Sequence, residues 1–284
     1  MTTVKSTSSA HTPSALKTVI LIEDTGSVSA HERAAALAKK TGFEVHKINP
    51  QKADKRFDKA QWQLVFTEAG LALRLSSEPS WSDIRVDFAS AGLQYRKQHG
   101  GGRNEAIAKA IGIKGKQQLS VLDCTAGMGT DSFVMASVGA QVTMLERSPV
   151  IAALLEDALL RLEDAGEALH KSLSFVQADA SEYLQQISVK EAPNQLDVIY
   201  LDPMFPHKKK SALVKKEMQA FQMLLGPDQD SEQLLTAAIS AKPKRIVVKR
   251  PASAAELANA QTILPTMAIR SKKHRFDVYI LKSI

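Results

Sequence analysis

The chain contains 284 residues, of which 44% are hydrophobic and 24% are charged, a composition typical of globular proteins. Its 37 lysine and arginine residues against 30 acidic ones give a net charge of +7, which favours an anionic partner. The single cysteine, Cys124, excludes an internal disulfide and a four-cysteine zinc site, and we expect no metal. Without a membrane-length apolar run or a signal-peptide core, a cytoplasmic location is also expected.

The first 90 residues predict a polar tail followed by a small α/β domain. Residues 1–16 are rich in serine and threonine and are expected to be disordered. The elements predicted after the tail are a strand at 18–24, a helix at 29–42, a strand at 43–48 and a hairpin at 62–76. Residues 17–90 are therefore assigned to a small N-terminal domain.

Residues 91–118 combine basic side chains with three consecutive glycines, Gly100 to Gly102, and lead into a predicted helix. One interpretation is a basic interdomain linker with a solvated helix face, the usual role of a charge run. The other is a phosphate-binding segment beside an active site, with Arg103 available to the ligand. The sequence leaves both interpretations open.

From residue 119 to residue 284, strands and helices alternate regularly. A strand at 119–123, a turn containing Gly127 and Gly129, and an amphipathic helix form the opening unit of a doubly wound α/β domain. The elements predicted after it are strands at 141–147, 172–179, 197–205 and 244–251, helices at 149–166 and 181–187, and an antiparallel hairpin at 266–282. This order predicts an open, mostly parallel sheet covered by helices.

The glycine turn is ambiguous by itself, because Gly-x-Gly occurs in many turns. A dinucleotide-binding fingerprint would have a third glycine where Ser132 stands, and Asp131 at the start of the helix would repel a phosphate. Asp123 and Asp131 suit instead a ligand that carries an ammonium or a sulfonium charge. S-adenosylmethionine carries both.

Acidic residues stand at the carboxyl ends of successive strands, the edge at which open parallel sheets bind ligands. Glu146 follows Gly127 by 19 residues, near the spacing at which an acid accepts hydrogen bonds from ribose hydroxyls. Asp179 is placed to accept one from an adenine amino group. Each acid alone is more often a loop residue, but together with Asp123 and Asp202 they favour a nucleoside pocket.

The fourth strand of this region ends in Asp202-Pro203-Met204-Phe205-Pro206, where each proline keeps the residue before it extended. The simpler interpretation is a rigid turn with the aromatic ring in the core. An Asp/Asn-Pro-x-aromatic loop at this strand end is, however, typical of enzymes that methylate exocyclic amino groups of bases.

Five segments of the chain resemble the RsmJ family, and the resemblance extends from Val86 to the C-terminus. They are DCTAGMGTDSF, ASVGAQVTMLERSPVIAALL, YLDPMFPHKKKSALVKKEM, VVKRP and KHRFDVY. Members of that family are S-adenosylmethionine-dependent methyltransferases that form N2-methylguanosine in bacterial 16S ribosomal RNA. The resemblance implies a Rossmann-like class I methyltransferase domain with a seven-stranded sheet over 119–284. It also implies S-adenosylmethionine as cofactor and 16S ribosomal RNA or the small ribosomal subunit as partner.

The resemblance also implies where the cofactor binds. Together with Asp123, Gly127 and Gly129 at the glycine turn, the residues expected to bind the cofactor are Thr130, Asp131, Glu146, Arg147, Asp179, Ala180 and Asp202. Many relatives have arginine in place of Thr130 and a Ser-Ser pair in place of Asp179-Ala180.

Two residues are expected to be catalytic. Asp202 would accept a hydrogen bond from the guanine N2 amino group, and Phe205 would stack on the extruded base. The residues expected to bind RNA phosphates are Arg103, His207, Lys208, Lys209, Lys210, Lys215, Lys249, Arg250, Lys273 and Arg275. A solvated basic face is the simpler interpretation of each of these side chains.

Four alternative functions differ from this one in substrate or in class. The enzyme could methylate adenine N6 or a protein glutamine, but an aspartate at 202 argues against both. A non-catalytic RNA-binding assembly factor is disfavoured by the intact acids at the strand ends. The glycine pattern argues against an NAD-dependent oxidoreductase.

Overall fold

A computed structural model describes residues 18–23, 28–49, 57, 62–99, 102–115, 117–190, 196–204, 216–226, 230–271 and 274–281. The chain forms two compact units, Met1–Ile84 and Arg85–Ile284. The expected tail at 1–16 lies outside the described residues. The same holds for Phe205, His207, Lys208, Lys209, Lys210, Lys215 and Lys273.

The first unit contains a four-stranded sheet, which confirms the small α/β domain. Its elements are β1 (Thr18–Glu23), α1 (Val28–Thr41), β2 (Glu44–Ile48), β3 (Trp62–Thr67) and β4 (Gly70–Leu75). The strand order is β2-β1-β3-β4, with β1 parallel to both neighbours and β3 antiparallel to β4. Ile20, Trp62, Leu64 and Leu73 are fully buried in its core.

Residues 91–118 belong to the second unit, where they form α2 (Ala91–His99), a short 3-10 turn and α3 (Ala106–Ile111). α3 packs against the last three strands of the chain. Arg245 holds the end of this helix, because its Nη1 donates a 2.9 Å hydrogen bond to the Ala110 carbonyl.

The rest of the second unit alternates strands and helices as predicted. Its elements are β5 (Ser120–Asp123), α4 (Thr130–Ser137), β6 (Gln141–Glu146), α5 (Pro149–Asp164), β7 (Leu173–Gln177), α6 (Ala180–Lys190), β8 (Val198–Leu201), α7 (Lys216–Leu225), α8 (Ser231–Ser240), β9 (Arg245–Pro251), β10 (Met267–Arg270) and β11 (His274–Ile280). β8 is shorter than the predicted strand at 197–205. The reason is that the Asp202 amide bonds to a side chain and Pro203 has no N–H to donate to a ladder.

The seven strands form one sheet in the order β10-β11-β9-β8-β5-β6-β7, which confirms the expected seven-stranded architecture. Strands β9, β8, β5, β6 and β7 are parallel, and β11 is antiparallel to both of its neighbours. The chain runs from β5 outward to β7 and then crosses back to β8. The strand order therefore reverses beside β5, and open α/β sheets bind ligands at this point, beyond the carboxyl ends of the strands.

The centre of the sheet is held by apolar side chains on both faces. All four residues of β8 are buried, as expected for a central parallel strand covered by helices on both sides. Ile199, Leu201 and Val248 share a core cluster with Leu235 and Ile239 of α8. Each such side chain stabilises the folded state by roughly 1.5–3 kcal/mol. This core fixes the strand ends that carry the acids.

Candidate active site

The turn after β5 depends on two glycines with positive φ, 53° at Gly127 and 69° at Gly129. A Cβ at Gly129 would lie 2.9 Å from the Phe88 ring and 3.1 Å from Leu155. Among the residues that the structure describes, a Cβ at Gly127 would meet only the Thr125 carbonyl oxygen, 4.0 Å away. Gly129 is therefore required by packing, whereas Gly127 borders open space in which a ligand can approach the backbone.

Asp123 is a buried anchor for this turn, with 1% of its surface exposed. Its Oδ1 accepts a 3.1 Å hydrogen bond from the Thr125 amide, and its Oδ2 accepts a 2.5 Å bond from the Ser132 hydroxyl. Burial raises the pKa of Asp123 to about 7; the two hydrogen bonds oppose this effect, and the charges of Asp131 and Asp202 add to it. Ser132, which replaces the third glycine of a dinucleotide fingerprint, thus has a structural role here.

Glu146 links the end of β6 to the glycine turn. Its Oε2 accepts a 3.2 Å hydrogen bond from the Gly127 amide, and its Oε1 accepts a 2.8 Å bond from the Ser148 amide. Burial raises the pKa of Glu146, although these backbone hydrogen bonds oppose the shift. Each carboxylate oxygen can accept a further hydrogen bond, so Glu146 can also bind the hydroxyls of a ribose.

Thr125 joins the end of β8 to the same turn. The Asp202 amide donates a 2.6 Å hydrogen bond to the Thr125 hydroxyl, and the Thr125 amide donates to Asp123. The structure thus brings Asp202 to the turn that contains Gly127, which Glu146 also contacts. Thr125 was not among the expected site residues, because a single hydroxyl in a turn follows no recognisable pattern.

Lys249 of β9 lies between two of the expected site acids. Its Nζ is 2.7 Å from Asp131 Oδ2 and 2.8 Å from Asp202 Oδ2, and the Tyr200 hydroxyl donates a 2.7 Å hydrogen bond to the same Asp131 oxygen. Only 16% of the Lys249 side chain is exposed. Lys249 is expected from the sequence to bind an RNA phosphate, and in this structure the neighbouring carboxylates hold its ammonium inside the site.

Electrostatic interactions explain why Lys249 and Asp131 stay charged although both are largely enclosed. Burial alone would lower the pKa of Lys249, but the charges of Asp202 and Asp131 and their hydrogen bonds raise it above its usual value. Burial would raise the pKa of Asp131, yet the Lys249 charge and the hydrogen bonds from Lys249 and Tyr200 lower it. Burial and these anions raise the pKa of Tyr200 well above its usual value, so the phenol remains a donor.

The residues after β6 and β7 occupy the neighbouring part of the edge. Arg147 pairs with Asp230 at the start of α8, and its Nη1 lies 3.7 Å from Asp179 Oδ2. Asp179 Oδ1 accepts hydrogen bonds of 2.9 and 3.2 Å from the Ser181 and Glu182 amides and so caps α6. The side chain of Ala180 packs in the core, whereas Thr130 is exposed at the start of α4.

Two further residues expected to bind RNA are buried and bonded within the protein, and their phosphate contacts stay a prediction. Arg250 is 5% exposed and donates two hydrogen bonds, of 3.1 and 2.7 Å, to the Ala255 carbonyl. Arg275 is 8% exposed and forms a bidentate pair with Asp277 at 2.7 and 2.9 Å. Arg103 is an exposed residue whose Nε donates a 3.4 Å hydrogen bond to the Val138 carbonyl, at the end of α4 away from the glycine turn, and its phosphate contact stays a prediction.

The site as a whole suits a cationic nucleoside ligand. Its carboxylates are Asp123, Asp131, Glu146, Asp179 and Asp202. These acids outnumber the cations beside them, Lys249 and Arg147, and the negative surplus attracts a sulfonium and an amino group. Within the described ranges, no group of three or more His, Cys, Asp or Glu residues is arranged to hold a metal ion. None of the helices described is long and apolar enough to cross a membrane.

Comparison with known proteins places this geometry in context. The SAM_MT family model, which describes SAM-dependent methyltransferases, matches residues 50–281. The chain is 44% identical over 264 residues to ribosomal RNA small subunit methyltransferase J of Citrobacter koseri, covering 92% of this chain and 96% of that protein. The protein of the same name from Alteromonas mediterranea is 52% identical over 210 residues, 74% of this chain and 79% of that protein. The SAM-dependent methyltransferase NGO1261 from Neisseria gonorrhoeae is 29% identical, with a TM-score of 0.66, over 93% of this chain and 96% of that structure.

Proposed function

Because the chain belongs to the ribosomal RNA small subunit methyltransferase J family of SAM-dependent enzymes, we propose that it methylates the exocyclic N2 of a guanosine in bacterial 16S ribosomal RNA. The observation that supports this acceptor most directly is the position of Asp202. Its amide is held by Thr125 and its carboxylate by Lys249, at the end of β8 and beside the glycine turn.

S-adenosylmethionine supplies an electrophilic methyl group on a positively charged sulfur. We assign the ribose hydroxyls to Glu146 and the adenine amino group to Asp179, whose Oδ2 is turned toward Arg147 while Oδ1 caps α6. The backbone at Gly127 offers the close approach that a nucleoside needs. Asp131, ionised beside Lys249, adds negative charge near the sulfonium.

Asp202 is proposed to orient the acceptor. Guanine N2 is a poor nucleophile because its lone pair is delocalised into the ring. A hydrogen bond from the N2 amino group to the Asp202 carboxylate would turn that lone pair toward the methyl group. As the N–C bond forms and the S–C bond breaks, the N2 proton becomes acidic and passes to Asp202 or to water. Positioning of the reacting atoms roughly 3 Å apart supplies much of the rate.

Phe205 and the basic residues after it are proposed to hold the RNA. Phe205, outside the described residues, would stack on the extruded base, a contact worth about 1–3 kcal/mol. The phosphate contacts are assigned to Arg103, His207, Lys208, Lys209, Lys210, Lys215 and Lys273. This assignment leaves out Lys249, Arg250 and Arg275, whose positive groups are held by other parts of the protein.

The test compares Asp202→Asn with Asp197→Asn. Both substitutions remove an acid next to β8, but Asp197 lies at the opposite end, where it accepts hydrogen bonds from Ser120 and Lys244. We expect Asp202→Asn to lower kcat by about 100- to 10,000-fold with cofactor affinity within about threefold of wild type. Asp197→Asn should keep its activity.

In this assay the methyl acceptor is small-subunit RNA from cells that lack the enzyme. The methylated nucleosides of that RNA are identified by mass spectrometry. Formation of N2-methylguanosine by the wild type supports the proposal. N6-methyladenosine, or methyl groups on ribosomal protein alone, would overturn the assigned acceptor. Near-normal turnover by Asp202→Asn would overturn the role of Asp202.

A further inference from the structure

Lys249 is a largely enclosed cation, 16% exposed, to which the reaction scheme above assigns no step. It extends from β9 toward the carboxyl edge of the sheet, where its ammonium contacts one acid on each side. Asp131 belongs to the first turn of α4, and Asp202 directly follows β8. One nitrogen thus connects an acid assigned to the cofactor with the acid assigned to the acceptor.

The Lys249 ammonium separates carboxylates that would otherwise repel each other. Asp131 and Asp202 both direct an oxygen at the same Nζ, at 2.7 and 2.8 Å, so without the cation two carboxylates would face each other at short range. Asp123 of β5 is close enough for both charges to raise its pKa. Arg96 of α2 also lowers the pKa of Asp131, but this guanidinium is paired with Glu105 at 2.8 Å.

Asp131 is itself held in place, so it can serve as a fixed point for Lys249. The Tyr200 hydroxyl donates to the same Asp131 oxygen that Lys249 contacts, and Asp131 belongs to a helix that begins at the tightly packed Gly129. The Asp202 side chain is 38% exposed and lies at the end of its strand, where the sheet ladder no longer holds it. The Lys249 ammonium, 2.8 Å from Asp202 Oδ2, is a contact that can orient this carboxylate.

We propose that Lys249 is a positioning residue for methyl transfer: its ammonium ties the Asp202 carboxylate to Asp131 and so fixes the orientation of that carboxylate. Asp202 then presents a fixed hydrogen-bond acceptor to the amino group of the base. The inference rests on the proposed role of Asp202. It assigns to Lys249 a function within the site, in place of the RNA contact that its basic neighbours in the sequence indicate.

The experiment compares Lys249→Met, Lys249→Arg and Lys244→Met in the full-length enzyme. Methionine keeps much of the length of the lysine side chain without its charge, and arginine restores the charge. Lys244 is a matched control, because it precedes the same strand and pairs with Asp197 at 2.8 Å at the opposite edge of the sheet. Each variant is assayed for cofactor affinity by calorimetry, for kcat and KM with small-subunit RNA, and for kcat as a function of pH.

For Lys249→Met we expect kcat at neutral pH to fall by about 30-fold or more, with KM for RNA changed less than about threefold. The acid limb of its pH profile should move up by about one pH unit or more. Removing the cation favours protonation of the carboxylates, so activity that needs an ionised acid is lost at a higher pH. Lys249→Arg should restore the wild-type acid limb and part of kcat. Lys244→Met should have the kcat and the acid limb of the wild type.

An unchanged acid limb in Lys249→Met, or a loss in RNA affinity alone, would overturn the inference. Should Lys249→Met fail to fold, the arginine variant decides the matter: its acid limb must coincide with that of the wild type. Failure of the proposed function is recognised separately. In that case the wild type itself forms a product other than N2-methylguanosine, whatever the Lys249 variants do.

Discussion

Gly127 and Gly129 both adopt positive φ, but the space beside each of them differs. Gly129 faces the Phe88 ring, which stacks on Phe133 with a centroid distance of 5.6 Å, so an added methyl group would press into packed core. Gly127 donates its amide to Glu146 and borders open space. One glycine therefore maintains the fold of the turn, and the other leaves room for a ligand.

This difference predicts that alanine at Gly129 mainly affects stability, whereas alanine at Gly127 mainly affects cofactor binding. Gly129→Ala should lower the free energy of unfolding by about 2–5 kcal/mol, because left-handed strain and overpacking add. Gly127→Ala should cost only about 1–2 kcal/mol of strain, but its methyl group should weaken S-adenosylmethionine binding by about tenfold. Urea denaturation and calorimetry measure the two effects. Wild-type cofactor affinity in Gly127→Ala would mean that this backbone is not part of the cofactor surface.

At the scale of single residues, the sequence predicts which acids gather but not what holds them. Asp123, Glu146 and Asp202 were found because each ends an apolar run, and parallel strands present their ends at one edge. The contacts from Thr125 and Tyr200 could not be found in this way, because they depend on which strands are neighbours and how side chains are oriented. A hydroxyl within an apolar strand carries no signal of its own.

At the scale of secondary structure elements, Asp179 has two roles that can be separated. One of its oxygens caps α6, and the other lies near Arg147, where we place the adenine amino group. The helix begins at Ala180, whose side chain is part of the core, so the position of the cap is fixed by packing. Loss of the carboxylate can therefore affect both stability and cofactor binding.

Asp179→Asn and Asp179→Ala distinguish these roles. Asparagine keeps an oxygen for the cap, so Asp179→Asn should be as stable as the wild type within about 0.5 kcal/mol, whereas Asp179→Ala should lose about 1 kcal/mol. Both should bind S-adenosylmethionine about tenfold more weakly, because neither offers a second acceptor oxygen. Calorimetry and thermal unfolding provide the measurements. Undiminished affinity in Asp179→Asn would remove the side chain from the adenine site.

The elements themselves were largely predictable, because strands β5 to β9 are short apolar runs and each ends at a turn or an acid. The pairing of the last strands was not. β11 lies between β9 and β10, which places Arg275 directly opposite Arg250 in the ladder. Asp277 binds Arg275, and the carbonyl of Ala255 binds Arg250. Arg250 and Arg275, which the sequence suggests lie on a basic surface, are thus buried. The strand order that buries them cannot be predicted from sequence periodicity.

At the scale of the whole molecule, positive and negative charge serve different ligands. The net charge is +7, yet the site edge is rich in carboxylates. A cationic cofactor and an anionic RNA can then bind the same protein without competing for one electrostatic surface. This separation predicts that salt affects the two ligands unequally.

The affinity for RNA should fall steeply with salt, and the affinity for S-adenosylmethionine should fall only slightly. With about four to six phosphates neutralised on single-stranded RNA, the slope of log K against log salt should be roughly −3 to −4. Arg103→Ala should reduce the magnitude of that slope by about one, because this exposed residue of the 3-10 turn, whose Nε donates a 3.4 Å hydrogen bond to the Val138 carbonyl, is proposed to contact a phosphate. Lys244→Met removes one positive charge at the edge opposite the site and should leave the slope unchanged. Fluorescence titrations over a salt series measure both ligands. A slope near zero, or the same slope in the Arg103 variant as in the wild type, would show that RNA is held by contacts other than the proposed basic side chains.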